Sequence, residues 1–272
     1  MYPHTHHQAD QPVLDVQNLS VRYDGYDALQ GVSFHLRPGE RVAVVGPNGA
    51  GKSTLFKVIA GVLPPTSGEV TVYGSGPRGH ICIGYIPQRS QVDWRFPVSV
   101  GEVVMMGRSA RLGPFAWPSR RDWQQVHTAL QTVDLDDLVK RQISELSGGQ
   151  QQRMFIARAL AQEAELMLMD EPISGLDTPA QESLLSLLSK LQEKGVTVMV
   201  ATHDLQQAGR YFDRIILLNR QLIGFGSAQE VLEPTLLKRA YGDRLRLVEM
   251  DGGLAAMDDT CCDGDERHDH AA

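Results

Sequence analysis

The sequence predicts an α/β protein built around a mostly parallel central sheet. Three short apolar runs, Arg41 to Val45 (RVAVV), Glu165 to Asp170 (ELMLMD) and Val196 to Ala201 (VTVMVA), show the unbroken hydrophobicity of strands covered on both faces. Helix-periodic segments separate them, the alternation that a parallel sheet requires. The third observation is a glycine-rich turn, Gly46 to Thr54 (GPNGAGKST), placed between the first run and the first helix.

Residues 1 to 12 are polar and hold His4, His6 and His7, so the folded body is expected to begin near residue 13. Tyr23 is a candidate platform for stacking a nucleotide base; Tyr26 competes for that role, and a core tyrosine is the plain alternative. The turn after Val45 matches G-x-x-x-x-G-K-[ST] at Gly46, Gly51, Lys52 and Ser53, in the strand–turn–helix setting that gives this motif meaning. Glycines let the loop through Pro47, Asn48, Gly49, Ala50 and Gly51 curl, so that successive N–H groups face a polyphosphate. The helix running from Lys52 through Ser53 and Thr54 adds its positive end. Lys52 is expected to reach the outer phosphates, and the Ser53 hydroxyl to ligate Mg²⁺.

Cys82 lies in an apolar strand and reads as a small core residue. Gln88 follows IGYIP and can ligate a metal through its carbonyl or hold a water. Residues 90 to 158 divide the two halves of the core and read as mostly helical, with helices over Arg120 to Val133 and Gln150 to Ala161. Trp94, Phe96, Phe115 and Trp117 fall among Pro97, Pro114 and Pro118; as a group they form a candidate docking surface for a membrane partner's helix.

Leu146 to Gln150 reads LSGGQ. Ser147 and Gln150 fit a capping box, while Gly148 and Gly149 leave the helix start bare for an anion. Asp170 ends the second apolar run beside the phosphate crevice of an open sheet and is a candidate Mg²⁺ partner. Glu171 is the candidate base for an attacking water. Thr178 as cap and Pro179 in the first turn open a helix reaching about Lys194, with Leu184, Leu185, Leu187, Leu188 and Leu191 in its core. His203, just past the third run, can donate to a γ-phosphate or its attacking water. Arg214 to Asn219 and Gln221 to Phe225 form a further strand pair.

These motifs together resemble the ATP-binding cassette (ABC) family over about residues 13 to 245. The resemblance implies a phosphate-loop NTPase with an antiparallel β lobe and an inserted helical lobe beside the parallel sheet. It implies ATP and Mg²⁺ as ligands. It also implies a head-to-tail dimer in which Ser147, Gly148, Gly149 and Gln150 of one copy close over the γ-phosphate held by the other. The family's aromatic stack falls on Tyr23, its glutamine loop on Gln88, its paired acids on Asp170 and Glu171, its subunit-crossing SGLD on Ser174 to Asp177, and its switch histidine on His203. Val92 to Pro97 (VDWRFP) is similar to the branch that energises uptake of manganese, zinc or iron, the manganese and iron members most of all. That branch implies a polytopic permease, an extracytoplasmic metal-binding protein, and a peripheral position on the cytoplasmic face of the membrane. A soluble cassette ATPase, as in iron–sulfur assembly, is the rival.

Composition narrows the classes. The chain has 272 residues and 42% hydrophobic content, a single domain with two lobes. No apolar run approaches the ~20 residues of a membrane helix, and no secretory signal precedes the body. Three cysteines, two of them adjacent, make no disulfide framework. Residues 251 to 272 carry seven acids against Arg267, a net −6 within the whole chain's −7, so nothing basic suggests nucleic acid. This tail, with Cys261, Cys262, His268 and His270, reads as disordered, with metal sensing or buffering as the sharper alternative.

Overall fold

The computed structural model describes residues 11–23, 25–77, 82–112 and 117–242, together with the backbone of 245–250 and 253–258. The first strands alternate buried and exposed residues, the pattern of a sheet with one wet face. β1 (Leu14–Tyr23), β2 (Tyr26–Leu36) and β4 (Ser67–Val72) form an antiparallel sheet in the order β2-β1-β4.

The apolar runs behave differently. β3 (Arg41–Val45), β6 (Leu166–Asp170) and β7 (Thr197–Ala201) are buried on both faces. With β5 (Ile83–Ile86), β8 (Arg214–Asn219) and β9 (Gln221–Gly226) they build a sheet of order β5-β6-β7-β3-β8-β9. All neighbours are parallel except β8 and β9.

Strand periodicity sorts the side chains into two cores. Ala43, Val45, Met167, Met169, Val198 and Val200 face one core. Val42, Val44, Leu166, Leu168, Met199 and Ala201 face the other. The second core is closed by α1 (Lys52–Ile59) and the antiparallel sheet. The first is closed by the remaining helices: α2 (Val100–Met106), α3 (Arg120–Thr132), α4 (Gly148–Ala161), α5 (Thr178–Glu193), α6 (Leu205–Tyr211), α7 (Ala228–Val231) and α8 (Pro234–Tyr241). Each fully buried Leu, Ile or Phe on these faces contributes about 1.5–3 kcal/mol.

Helices α2 and α3 pack on α4 as a helical lobe inserted between β5 and β6. Capping boxes start them: Ser99 with Glu102, Ser119 with Asp122 and Ser147 with Gln150. Arg108 ties the lobe together. Its guanidinium donates to Asp122 Oδ1 (3.2 Å), the Ala161 carbonyl (2.9 Å) and Glu163 Oε1 (2.9 Å).

Two expectations change. The cap of α5 is Asp177, whose carboxylate accepts from Ala180 N at 2.9 Å; Thr178 and Pro179 occupy its first turn instead. Leu245–Met250 (β10) and Gly253–Asp258 (β11) pair antiparallel, so these six residues of the stretch read as disordered form a strand. The clusters at His4, His6, His7 and at Cys261, Cys262, His268, His270 lie outside the described residues, as does Phe115.

Candidate functional site

Three neighbouring strands bring the candidate residues to one edge of the sheet. In register, Ala201 on β7 pairs with Asp170 on β6 and with Val44 on β3. The carboxyl ends of these strands therefore present Asp170, His203 and Gly46 side by side, in the crevice where open α/β sheets bind ligands.

The phosphate loop is fixed by close approach. Gly46 (φ 155°) and Gly51 (φ 95°) adopt conformations that L side chains avoid. A Cβ on Gly46 would lie 2.0 Å from the Leu218 carbonyl oxygen, and one on Gly51 would lie 2.5 Å from that of Ala28. Arg220, itself at φ 57°, braces the loop from outside. Its N–H donates to the Ala50 carbonyl and its carbonyl accepts from Gln30 N, both at 2.8 Å. No motif marks Arg220; its position after a strand is its only sequence signal. Pro47, Asn48 and Gly49 form the outer part of the loop, and Asn48 and Gly49 are exposed. Ser53 and Thr54 follow in the first turn of α1.

The Lys52 ammonium is buried and donates to the carbonyls of Gly46 (2.6 Å) and Pro47 (3.1 Å). Ser53 hydrogen-bonds the Asp170 carboxylate. Burial pushes the Asp170 carboxyl above the usual carboxylate range; Ser53 opposes this and the Glu171 charge adds to it. Asp170 Oδ2 has no hydrogen-bond partner. A buried carboxylate with one orphaned oxygen, beside a hydroxyl, fits a hard divalent cation. Nearby, burial and then the Asp170 charge push the Tyr85 phenol up to about 12.

Glu171 stands at φ 49°, an uncommon backbone for a non-glycine residue, and its N–H donates to the Ala201 carbonyl at 3.0 Å. Gln88 Nε2 donates to Glu171 Oε2 at 3.1 Å. A cleft of about 410 Å³ opens beside them, lined by Gln88, Arg89, Ser90, Trp94, Glu171, Ser174 and Gly175. His203 is exposed at the end of β7. Its neighbours are pinned: Asp204 N donates to Thr202 Oγ1 (3.1 Å), and Asp204 Oδ1 accepts from Gln207 N (2.9 Å).

Tyr23 and Tyr26 pair across β1 and β2 and both are exposed. The Arg220 guanidinium covers the Tyr26 ring, 4.4 Å from its centroid, which leaves Tyr23 the better stacking platform of the two.

The signature turn forms as a capping box: Ser147 N donates to Gln150 Oε1 (2.9 Å) and Gln150 N to Ser147 Oγ (3.3 Å). A Cβ on Gly148 would meet the Arg89 guanidinium and Leu176, and one on Gly149 would meet Ala180. The turn thus stands on the helical lobe against its own chain's residues 89 and 176 to 180. Of the candidate docking aromatics, Trp117 is 91% and Phe96 58% exposed. Trp94 is half-buried and lines the cleft beside Glu171. It packs edge-on against Phe155, and its indole N–H donates to the Arg89 carbonyl.

The ABC transporter family profile matches residues 29–174, more than half the chain. The manganese transport system ATP-binding protein MntB of Bacillus subtilis (strain 168) is 44% identical over 237 residues, covering 87% of this chain and 95% of that protein. The zinc transport system ATP-binding protein TroB of Treponema pallidum (strain Nichols) is 43% identical over 233 residues, 85% of this chain and 88% of that protein. Among solved structures, an ABC transporter in an inward-facing conformation superposes with a TM-score of 0.77 at 33% identity, covering 90% of this chain and 96% of that one. The phosphate loop, the paired acids and the signature turn sit on a fold shared with these proteins: the chain belongs to the ATP-binding subunits of the ABC transporter family and is an ATPase.

Proposed function

We propose that this chain drives uptake of a metal ion, manganese first and zinc or iron after it, through a separate membrane permease. It works as a head-to-tail pair on the cytoplasmic face of the membrane, and an extracytoplasmic binding protein delivers the ion. The observation that carries the pairing is the signature turn. It is fully formed and its serine is exposed, yet its nearest neighbours are Arg89, Leu176 and Ala180 rather than its own phosphate loop. The cargo reading is supported by the named transport systems of the relatives and carries over by relatedness, since the cassette does not touch the ion.

In this reading the adenine stacks on Tyr23, and the phosphates lie along Gly46 to Thr54. Mg²⁺, when bound, would supply positive charge at the outer phosphate oxygens; Ser53, Asp170 and the Gln88 carbonyl would hold it. Lys52 leaves the Gly46 and Pro47 carbonyls for the outer phosphates. Glu171 orients the attacking water and accepts its proton, with Gln88 fixing the carboxylate. His203 donates to the γ-phosphate as charge develops. Ser147, Gly148, Gly149 and Gln150 of the twin close the site and exclude water. Most of the acceleration is positioning and preorganised charge.

Glu171→Gln tests the chemistry: ATP binding is retained, hydrolysis falls at least ~100-fold, and ATP-bound dimer accumulates on size exclusion. An unchanged rate removes the base assignment. Stimulation of ATP hydrolysis by Mn²⁺, Zn²⁺ or Fe²⁺, in liposomes holding the permease and binding protein, ranks the cargo. Purification free of any polytopic membrane partner would favour the soluble-cassette rival.

A further inference from the structure

The segment from Gln88 to Trp94 is fastened at both ends. Gln88 opens a single 3-10 turn, Arg89–Gln91, closed by Gln91 N donating to the Gln88 carbonyl at 2.9 Å. At the far end the Trp94 indole folds back, and its Nε1–H donates to the Arg89 carbonyl at 3.1 Å. The residue next to Gln88 is thereby pinned. The indole is seated edge-on against Phe155 of α4, with centroids 5.7 Å apart and planes at 70°. Arg158, one turn along α4, lies over the same ring at 4.9 Å and donates to the Tyr85 carbonyl at 3.0 Å. Tyr85 stands three residues before Gln88. Gln88 thus sits between two fastenings that share one aromatic ring, and its amide reaches Glu171 Oε2 at 3.1 Å.

We infer that Trp94 is a positioning residue for hydrolysis: through the Arg89 carbonyl it holds the Gln88 amide against the Glu171 carboxylate and so aims the base. The inference rests on the proposed role of Glu171. A glutamine side chain in a free loop spreads over several rotamers, and fixing it costs conformational entropy. The indole hydrogen bond and the Phe155 seat offset that cost before ATP arrives. A base displaced by a fraction of an ångström loses rate without loss of nucleotide affinity, so the effect falls on kcat and spares KM.

The experiment is a double-mutant cycle on the intact chain. Trp94→Phe keeps a ring against Phe155 and removes the N–H donor; kcat for ATP is expected to fall about five- to tenfold, the consequence of one unmade hydrogen bond, with KM for ATP unchanged. In a Gln88→Ala background the same change has no further effect, because the residue it acts through is gone. Phe155→Leu loosens the seat without touching the segment, and it repeats both results if Trp94→Phe proves unstable. Wild-type kcat in Trp94→Phe overturns the inference, and so does an equal loss in the Gln88→Ala background, which marks a merely structural role. Glu171→Gln, assayed alongside, separates the failures. Retained hydrolysis there sinks the base assignment; abolished hydrolysis with an indifferent Trp94→Phe sinks only the positioning role.

Discussion

At the phosphate loop, a methyl group on Gly46 or Gly51 would strike backbone carbonyl oxygens of Leu218 and Ala28 at 2.0 and 2.5 Å, and both residues hold positive φ. At the signature turn, a methyl group on Gly148 would meet only side chains, the nearest being the Arg89 guanidinium at 2.9 Å, and one on Gly149 would meet Ala180 Cβ at 3.2 Å. Neither residue of the second pair has a left-handed backbone. Both turns are glycine-rich and both open a helix. Gly46 and Gly51 of the first are demanded by their own fold, since a side chain at either would strike backbone. Those of the second lower helix propensity by about 1 kcal/mol each relative to alanine, with no backbone contact in the chain to require them. In the proposed pairing their reason lies outside the subunit, on the nucleotide that approaches the bare N–H groups of α4.

The strongest way to break this comparison is Gly46→Ala. The Leu218 carbonyl is backbone and cannot step aside, so the loop must unwind. ATP affinity of the isolated subunit is expected to fall at least ~100-fold, measured by calorimetry or a fluorescent nucleotide, with a lower Tm from the strained φ. Wild-type affinity in this variant would remove the claim that the loop is fixed by close approach.

Gly149→Ala is the sharper counterpart. Its methyl group needs a shift of only a few tenths of an ångström from Ala180. Alanine favours the helix, so Tm is expected to hold or rise. ATP binding by the lone subunit is unchanged. Hydrolysis nevertheless falls about 10–100-fold, because the methyl group stands where the twin's γ-phosphate must approach. A variant that loses stability and activity together would show that Gly149 serves its own fold.

The same contrast explains what could be read before the structure. The phosphate loop was legible because its constraints are local: strand, glycines at fixed spacing, helix. The Ser147–Gln150 capping box was legible for the same reason, as both partners lie within one turn. Asp177 was missed as a cap because Thr178 beside it is also a capping residue type, and only the Asp177 carboxylate's bond to Ala180 N decides between them. Trp94 falls among three prolines that read as loop, and its seat on Phe155, far along the chain, has no local signal. Arg220 carries no motif, only its place after a strand, because its part is played by backbone N–H, carbonyl and φ. The antiparallel sheet came from family resemblance rather than from the residues. In the tail, the acidic composition obscured the strand Gly253–Asp258.

The smallest effect is predicted within the phosphate-loop side and bears on why its carboxylate is retained. Burial holds the Asp170 carboxyl above its ordinary value, so the folded state binds this proton more tightly than the unfolded chain does. Stability from this group is therefore greatest below the unfolded value, near pH 4, and it declines as pH rises through the folded one. Above the folded value the full penalty is present. Asp170→Asn removes the buried charge and keeps an oxygen that can accept from Ser53. In metal-free buffer at pH 7 its Tm is expected to rise by about 2–4 °C, what ~1 kcal/mol gives a domain of this size, while Mg²⁺-dependent hydrolysis is lost. As pH is lowered through the folded value the gain in Tm shrinks, because the wild-type carboxyl is then protonated too. A Tm that falls at pH 7 would mean that Ser53 and Lys52 outweigh burial at this carboxylate; the orphaned Oδ2 would then cost the fold nothing, and the β6 end would lose its sign of stability given up for a cation.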